Sequence, residues 1–140
     1  LKTYIEINNK LNNNTLHIEY LNLNCIWWKH VSWAENCQEK PDTSTWSQYH
    51  SLVNKCTFEP DMILVDGRFR VASALESVKL MSDNTFLLFH DYVNRPQYHV
   101  IEDFFDKIEV VYTLQVFKRK ENIDLDKLND VIKKYELVLD

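Results

Sequence analysis

The clearest pattern along the chain is a pair of short, continuous apolar runs, each followed at once by polar residues. Met62–Val65 is followed by Asp66-Gly67, and Phe86–Phe89 is followed by His90-Asp91-Tyr92. An uninterrupted apolar run of this length is typical of a strand that is buried on both faces, as in parallel sheets. We therefore predict two buried strands at these positions.

Helical spacing of apolar residues recurs between and after these runs. It predicts three helices, over Val71–Met81, Tyr98–Phe105 and Asp124–Tyr135. Two β-rich segments, Ile108–Tyr112 and Leu114–Phe117, are separated by a short break that fits a tight hairpin or a bulge. The order strand–helix–strand–helix–strand predicts an α/β fold with right-handed crossovers and a mostly parallel sheet flanked by helices.

The first 56 residues carry a weaker pattern. Leu1–Leu11 has one apolar face and predicts a helix, and Leu16–Leu23 predicts a short strand. Residues 24–56 hold the four tryptophans in a polar stretch, which we interpret as a long structured loop with a helical turn near Trp46–Val53. With no internal repeat or low-complexity linker, residues 1–140 are predicted to form a single domain.

Composition and charge narrow the classes of partner. The net charge is −5 and the basic residues are scattered, whereas a nucleic-acid binder usually carries a basic stripe. No apolar run reaches the length of about 18 residues that a membrane span needs. Cys25, Cys37 and Cys56 form no C-x-x-C pair, which favours a reduced, cytoplasmic protein. With Gly67 as its single glycine, the chain contains no loop of the G-x-G-x-x-G or Walker type.

Both polar strand ends fall where open α/β sheets bind ligands, beyond the carboxyl ends of the strands. We expect Asp66, His90 and Asp91 to face one cleft and to act in catalysis, by orienting or deprotonating a hydroxyl group. The candidates for binding an acidic or sugar-like acceptor lie beside them: Arg68, Arg70, Tyr92 and Arg95. The alternative is architectural, because Asp66 could cap the following helix and the arginines could simply pair with the carboxylates.

A resemblance to a known family enters at these residues. Asp61–Arg70 (DMILVDGRFR) followed by Phe86–Tyr92 (FLLFHDY) resembles the fourth and fifth strands of class I S-adenosylmethionine-dependent methyltransferases. More narrowly, it is similar to a methyltransferase-like group with VDGRFR and HDY motifs, in which the Arg95–Glu102 segment also recurs. The match covers residues 60–118 well and residues 1–56 loosely. It implies a partial Rossmann-like methyltransferase fold of seven strands, with S-adenosylmethionine over the first three.

The same resemblance implies how the cofactor relates to this chain. The family's glycine-rich loop after strand one and acidic residue after strand two have no counterpart here. Leu1–Leu11 and Leu16–Leu23 correspond to the second helix and third strand, and Asn22 stands at the cofactor-contacting position. We therefore expect the C-terminal part of a methyltransferase, which binds S-adenosylmethionine only in a longer chain. A metal is not expected, because Tyr92 stands where related catechol-type O-methyltransferases have a metal-binding Asn.

Two functions stay open. One is a methyl-transfer enzyme acting on a small or sugar-like acceptor, and the other is a non-catalytic, methyltransferase-like module that binds a small anion or a protein. Metal-dependent hydrolysis is disfavoured, because it needs several further ligands on helices. A sheet without its first strands would have an unpaired edge, so the chain could also associate with itself.

Overall fold

The computed structural model of the protein describes residues 46–139. Four strands are present in this part: β1 (Met62–Val65), β2 (Phe86–Phe89), β3 (Phe105–Val111) and β4 (Leu114–Arg119). The α-helices are α1 (Ser47–Ser51), α2 (Arg70–Ser77) and α3 (Leu125–Tyr135). Two 3₁₀ helices, Leu52–Lys55 and Pro96–Asp103, complete the described elements.

The four strands form a mixed sheet in the order β1-β2-β4-β3. Only β1 and β2 pair in parallel, while β4 is antiparallel to both β2 and β3. The expectation of a mostly parallel sheet is therefore wrong. Its physical cause is the short connection Tyr112–Thr113 between β3 and β4, because such a turn can join only antiparallel strands. The predicted hairpin is confirmed, and β3 also contains a bulge between Lys107 and Glu109.

The core lies between the sheet and one layer of helices. Val71 and Leu75 of α2 pack with Leu87 and Phe89 of β2, and all four are fully or almost fully buried. The amphipathic α3 begins at Asp124, whose carboxylate caps the helix by accepting hydrogen bonds from two backbone N–H groups. This layer fixes the crossover from β1 through α2 to β2, which is the unit that carries the motifs.

The helices differ in detail from the sequence prediction. The first ends at Ser77 rather than Met81, because the Ser77 hydroxyl donates to the Ala74 carbonyl and the next turn is tightened. The second is a 3₁₀ helix that ends before β3 begins at Phe105. In α3, Leu128 is buried, whereas Leu125 is 62% exposed in the first turn.

The prediction that both faces of the first two strands are buried is wrong for the described part of the chain. Val65, Leu87 and Phe89 face the helices, but Met62 and Leu64 on the opposite face are 61% and 60% exposed. The described helices pack against one face of this sheet, so no described helix covers the alternate residues of β1. The sequence of β1 is therefore apolar throughout, although the described helices cover one of its faces.

The helical turn predicted near Trp46–Val53 is confirmed as α1 and the 3₁₀ helix that follows it. Trp46 is buried against Phe69, with ring centroids 5.3 Å apart. The predicted helix Leu1–Leu11 and strand Leu16–Leu23 lie outside the described residues. Between residues 46 and 139, no helix is long and apolar enough to cross a membrane.

His50 generates a prediction for pH dependence. It is buried beside Glu76, and burial lowers its pKa below the ordinary value of 6.5 despite the opposing attraction of that carboxylate. Below pH 6.5, His50 therefore binds a proton in the unfolded chain more readily than in the folded chain. The contribution of neutral His50 to stability is complete above pH 6.5 and decreases as the pH falls below it. Urea unfolding should show a lower midpoint at about pH 5.5 than at about pH 7.5, above the range where carboxylates titrate.

The substitution His50→Gln should reduce this pH difference, and His99→Gln, at a histidine whose side chain is 44% exposed, is the matched control. An unaltered pH difference in His50→Gln would show that another group is responsible.

Candidate functional site

The parallel pairing of β1 and β2 brings their polar ends together. Val65 lies opposite Phe89, and the His90 N–H donates to the Val65 carbonyl at 3.0 Å. The next side chains in each strand then meet, with His90 Nδ1 3.0 Å from Asp66 Oδ1. Asp66 is 48% and His90 41% exposed at the side chain, so the pair is held by the protein and open to solvent.

Two carboxylates surround one nitrogen of the His90 ring. Besides Asp66, Asp91 places Oδ1 3.6 Å from Nδ1, which is itself shielded from solvent. Neither contact is aligned as a hydrogen bond, so the attraction is electrostatic. A proton on Nδ1 is favoured by both negative charges, which leaves Nε2 as the proton acceptor of the neutral ring. Nε2 lies 3.5 Å from the hydroxyl oxygen of Thr113.

Arg70 connects the loop after β1 with the loop after β2. Its guanidinium donates to the Gly67 carbonyl at 3.0 Å and to the His90 carbonyl at 3.2 Å, and it lies 3.5 Å from Asp91 Oδ2 and 3.8 Å from Asp66 Oδ1. The residue is only 8% exposed. Arg70 therefore reaches both strand ends but offers little surface to a substrate, and its contacts are those of a residue that positions the site.

The Asp91 carboxylate is held by two arginines. Arg95 donates to Oδ2 at 2.9 Å, on the same oxygen that Arg70 approaches. Asp91 also adopts a left-handed backbone with φ of 58°, a conformation that Asp tolerates better than most residues. Tyr98 is fully buried between the arginines, accepts a hydrogen bond from Arg95, and has both guanidinium carbons within 6 Å of its ring centroid. The architectural interpretation fits Asp91 better than Asp66.

The remaining predicted residues lie at different distances from this cluster. Tyr92 is 1% exposed, and its hydroxyl donates to Glu102 at 2.7 Å, away from the cluster. Burial and that carboxylate raise the pKa of the Tyr92 phenol. Arg68 is half-buried on the loop after β1. Asn22, the predicted cofactor contact, lies outside the described residues. The structure thus brings Asp66, Arg70, His90, Asp91 and Arg95 together and leaves Tyr92 in the core.

Thr113 was not identified from the sequence. It belongs to the β3–β4 turn, and the antiparallel return of β4 beside β2 brings this turn next to His90. Its carbonyl also accepts a hydrogen bond from the Tyr92 N–H at 2.9 Å, which fixes the turn against the loop after β2. The break in the β-rich pattern marked a turn, but only the strand order shows at which edge of the sheet it lies.

Metal ligation is not supported by side-chain placement in residues 46–139, where no group of three His, Cys, Asp or Glu side chains is arranged to hold a metal ion. The geometry around Asp91 gives a physical reason. One of its oxygens contacts Arg95 and Arg70, and the other faces His90. A cation at this position would compete with two guanidinium groups.

Comparisons with known proteins add to this geometry. No protein-family profile and no curated protein sequence matches the chain. Among solved structures, a methyltransferase-like protein from Silicibacter pomeroyi is 30% identical, with a TM-score of 0.55. The chain is similar to a methyltransferase-like protein. The alignment covers 65% of this chain and 48% of the other, so the chain spans about half the length of that structure.

This likeness supports a methyltransferase-like family and agrees with the resemblance carried by the two strand-end motifs. The narrower assignment to the group with VDGRFR and HDY motifs stays a prediction. So does the role of each site residue.

The two arginines on Asp91 give a matched pair of substitutions. Arg70→Met removes a buried charge partner and leaves two strand-end carbonyls without their donor, so unfolding should become easier by about 3 kcal/mol. Arg95→Met removes a partner whose side chain is 36% exposed, and it should cost about 1 kcal/mol or less. Urea unfolding followed by circular dichroism measures both. Equal losses of unfolding free energy in the two variants would contradict the distinction between a buried ion pair at Arg70 and a solvent-screened ion pair at Arg95.

Proposed function

We propose that this chain forms the acceptor-binding part of an S-adenosylmethionine-dependent methyltransferase that acts on a small or sugar-like hydroxyl compound. The observation that carries the proposal is the contact of 3.0 Å between Asp66 and His90 at the shared edge of two parallel strands. That edge is where open α/β sheets bind ligands. The similarity to a methyltransferase-like protein supplies the class of reaction.

In this proposal His90 is the general base. An acceptor hydroxyl binds at Nε2, in the direction where the Thr113 hydroxyl already lies, and its proton moves to that nitrogen as the oxygen attacks a methyl group. Asp66 and Asp91 stabilise the imidazolium that forms, because both carboxylates face Nδ1. Positioned bases of this kind contribute roughly 10²- to 10⁴-fold to a rate.

S-adenosylmethionine, when bound, supplies the methyl group. β1 is the last strand on that side of the described sheet. We assign the acceptor side of the site to residues 46–139 and the contacts with the cofactor to residues outside the described part of the chain, as the family resemblance implies.

A second candidate function, a non-catalytic binding module, is favoured by the contacts of Asp91. Its carboxylate and both arginines are satisfied by one another, which is the arrangement of a rigid scaffold. A module of this kind needs the shape of the two loops and not the basicity of His90. The methyltransferase proposal therefore requires that His90 Nε2 accepts a proton, and the binding-module proposal does not.

Variants of His90 and Asp66 distinguish the methyltransferase from the non-catalytic binding module. In the full-length protein, calorimetry should detect saturable binding of S-adenosylmethionine, and release of S-adenosylhomocysteine should identify the acceptor among sugars and simple alcohols. His90→Asn and Asp66→Asn should then lower kcat by roughly 10²-fold or more with cofactor affinity unchanged. His99→Asn, at an exposed histidine paired with Glu102, is the control and should have wild-type kcat.

Failure of the full-length protein to bind S-adenosylmethionine would contradict the methyltransferase proposal. Wild-type turnover in His90→Asn would contradict the role of the base, even if the cofactor binds. Loss of activity in His99→Asn as well would show that the effect is not specific to the Asp66–His90 pair.

A further inference from the structure

The single glycine of the chain directly follows Asp66 at the end of β1. The backbone does not require a glycine there, because φ at Gly67 is not positive. The requirement comes from a neighbouring side chain. A Cβ at this position would lie 2.6 Å from the hydroxyl oxygen of Tyr49, closer than atoms that are not bonded approach each other. The Tyr49 hydroxyl therefore occupies the space that any other side chain at position 67 would need.

Gly67 is held on two sides. Its carbonyl accepts a hydrogen bond from Arg70 Nε at 3.0 Å, and its α-carbon faces the Tyr49 hydroxyl. Asp66 belongs to the same turn, and its half-exposed carboxylate lies 3.0 Å from His90 Nδ1. No hydrogen bond among residues 46–139 aligns this carboxylate, so the backbone of the turn determines where it lies.

Phe69, two residues further on, also contacts Tyr49. Phe69 has a left-handed backbone with φ of 52°, which a bulky aromatic residue rarely adopts. Its fully buried ring lies against Tyr49 and Trp46, with ring centroids 5.4 Å and 5.3 Å away. A strained backbone persists only where the surrounding structure determines it, and such residues are frequent at functional sites. The turn after β1 is therefore shaped by its packing against these two aromatic rings.

Tyr49 is itself held in place by the helix that carries it. α1 packs against α2, where the buried ring of His50 lies 3.6 Å from the Glu76 carboxylate. The residue before α1, Trp46, is buried as well. Tyr49 lies between these two buried residues in the sequence and is half-buried. The contact with Gly67 is therefore made by a side chain on a packed helix.

We propose that Tyr49 is a positioning residue of the candidate site. Its hydroxyl packs on Gly67 and fixes the turn after β1, so that the Asp66 carboxylate stays beside Nδ1 of His90. Tyr49 touches no substrate in this role. It acts through Asp66, by keeping the negative charge where it favours a proton on Nδ1. The effect on methyl transfer rests on the proposed function, whereas the effect on the His90 ring does not.

The contact offers a pair of complementary substitutions. Gly67→Ala adds a methyl group 2.6 Å from the Tyr49 hydroxyl oxygen, so the turn or the ring must move. Tyr49→Phe removes that oxygen, and the next ring atom, Cζ, lies 3.8 Å from the position of the added methyl group. Because 3.8 Å is an ordinary van der Waals distance, the double variant Tyr49→Phe/Gly67→Ala fits where Gly67→Ala alone does not.

Two measurements on the full-length protein report on the site. In the ¹⁵N NMR spectrum of the neutral His90 ring, Gly67→Ala should shift the population from the Nδ1–H toward the Nε2–H tautomer, because Asp66 is displaced. The kcat for methyl transfer should fall roughly tenfold or more with the affinity for S-adenosylmethionine unchanged, since small displacements of reacting groups slow the chemical step. The double variant should recover the wild-type tautomer and most of the wild-type kcat.

Tyr135→Phe is the matched control, because Tyr135 is also half-buried but lies at the end of α3. Combined with Gly67→Ala, it should restore neither the tautomer nor kcat. Urea unfolding of each variant separates these effects from a loss of folded protein. If Gly67→Ala does not fold, Tyr49→Leu removes the contact instead of crowding it, and it should give the same shift of the tautomer.

A wild-type tautomer in folded Gly67→Ala, or in Tyr49→Leu where that variant replaces it, would overturn the proposal. Equal recovery by Tyr135→Phe would overturn it too, since the effect would not belong to the contact at Gly67. A lower kcat without a change of tautomer would show that Tyr49 does not act through Asp66. If the full-length protein binds no S-adenosylmethionine, the proposed function fails, but the tautomer and its recovery in the double variant still decide the role of Tyr49.

Discussion

The buried guanidinium of Arg70 is the interaction on which the candidate site depends. The parallel register of β1 and β2 brings the two strand ends side by side, but their loops leave the sheet as separate segments. Arg70 joins them by donating to a carbonyl of each loop, Gly67 and His90, and by approaching the carboxylates of Asp66 and Asp91. A buried charge can be accommodated only where such partners surround it, so the burial of Arg70 and the closeness of the loops require each other.

The residues of the cluster differ in the exposure of their side chains, and this difference separates their roles. Asp91 is held by Arg70 and Arg95 and shapes the loop through its left-handed backbone. Asp66 and His90 are about half open to solvent and have spare capacity for a ligand. The result is a rigid support behind a solvent-accessible Asp66–His90 pair, which is the arrangement that the proposed proton transfer requires.

The sequence was most informative where a pattern is local. The apolar runs of β1 and β2 and the polar residues that end them were predicted with correct bounds, because a continuous apolar run and its polar end can be read along the chain. The identity of the cluster followed, since neighbouring parallel strands share an edge. Strand order could not be predicted in the same way. The insertion of β4 between β2 and β3 depends on pairing between distant residues, and this insertion brings Thr113 to His90.

The burial of individual residues could not be predicted either. Arg70 lies under the loops, and no local pattern distinguishes a buried arginine from an exposed one. In the case of β1, the apolar sequence predicts that both faces of the strand are buried, while residues 46–139 cover one of them.

In the proposed mechanism, the carboxylates around His90 hold its proton on Nδ1 and keep Nε2 free to accept another. The most direct measurement is the ¹⁵N NMR spectrum of the His90 ring in the neutral form, assigned by comparison with His90→Asn. We expect the Nδ1–H tautomer, and a shift toward the Nε2–H tautomer in Asp66→Asn as one of the two negative charges is removed. A wild-type ring with its proton on Nε2 would overturn the proposed role of His90, because the nitrogen that lies near Thr113 could then not act as a base.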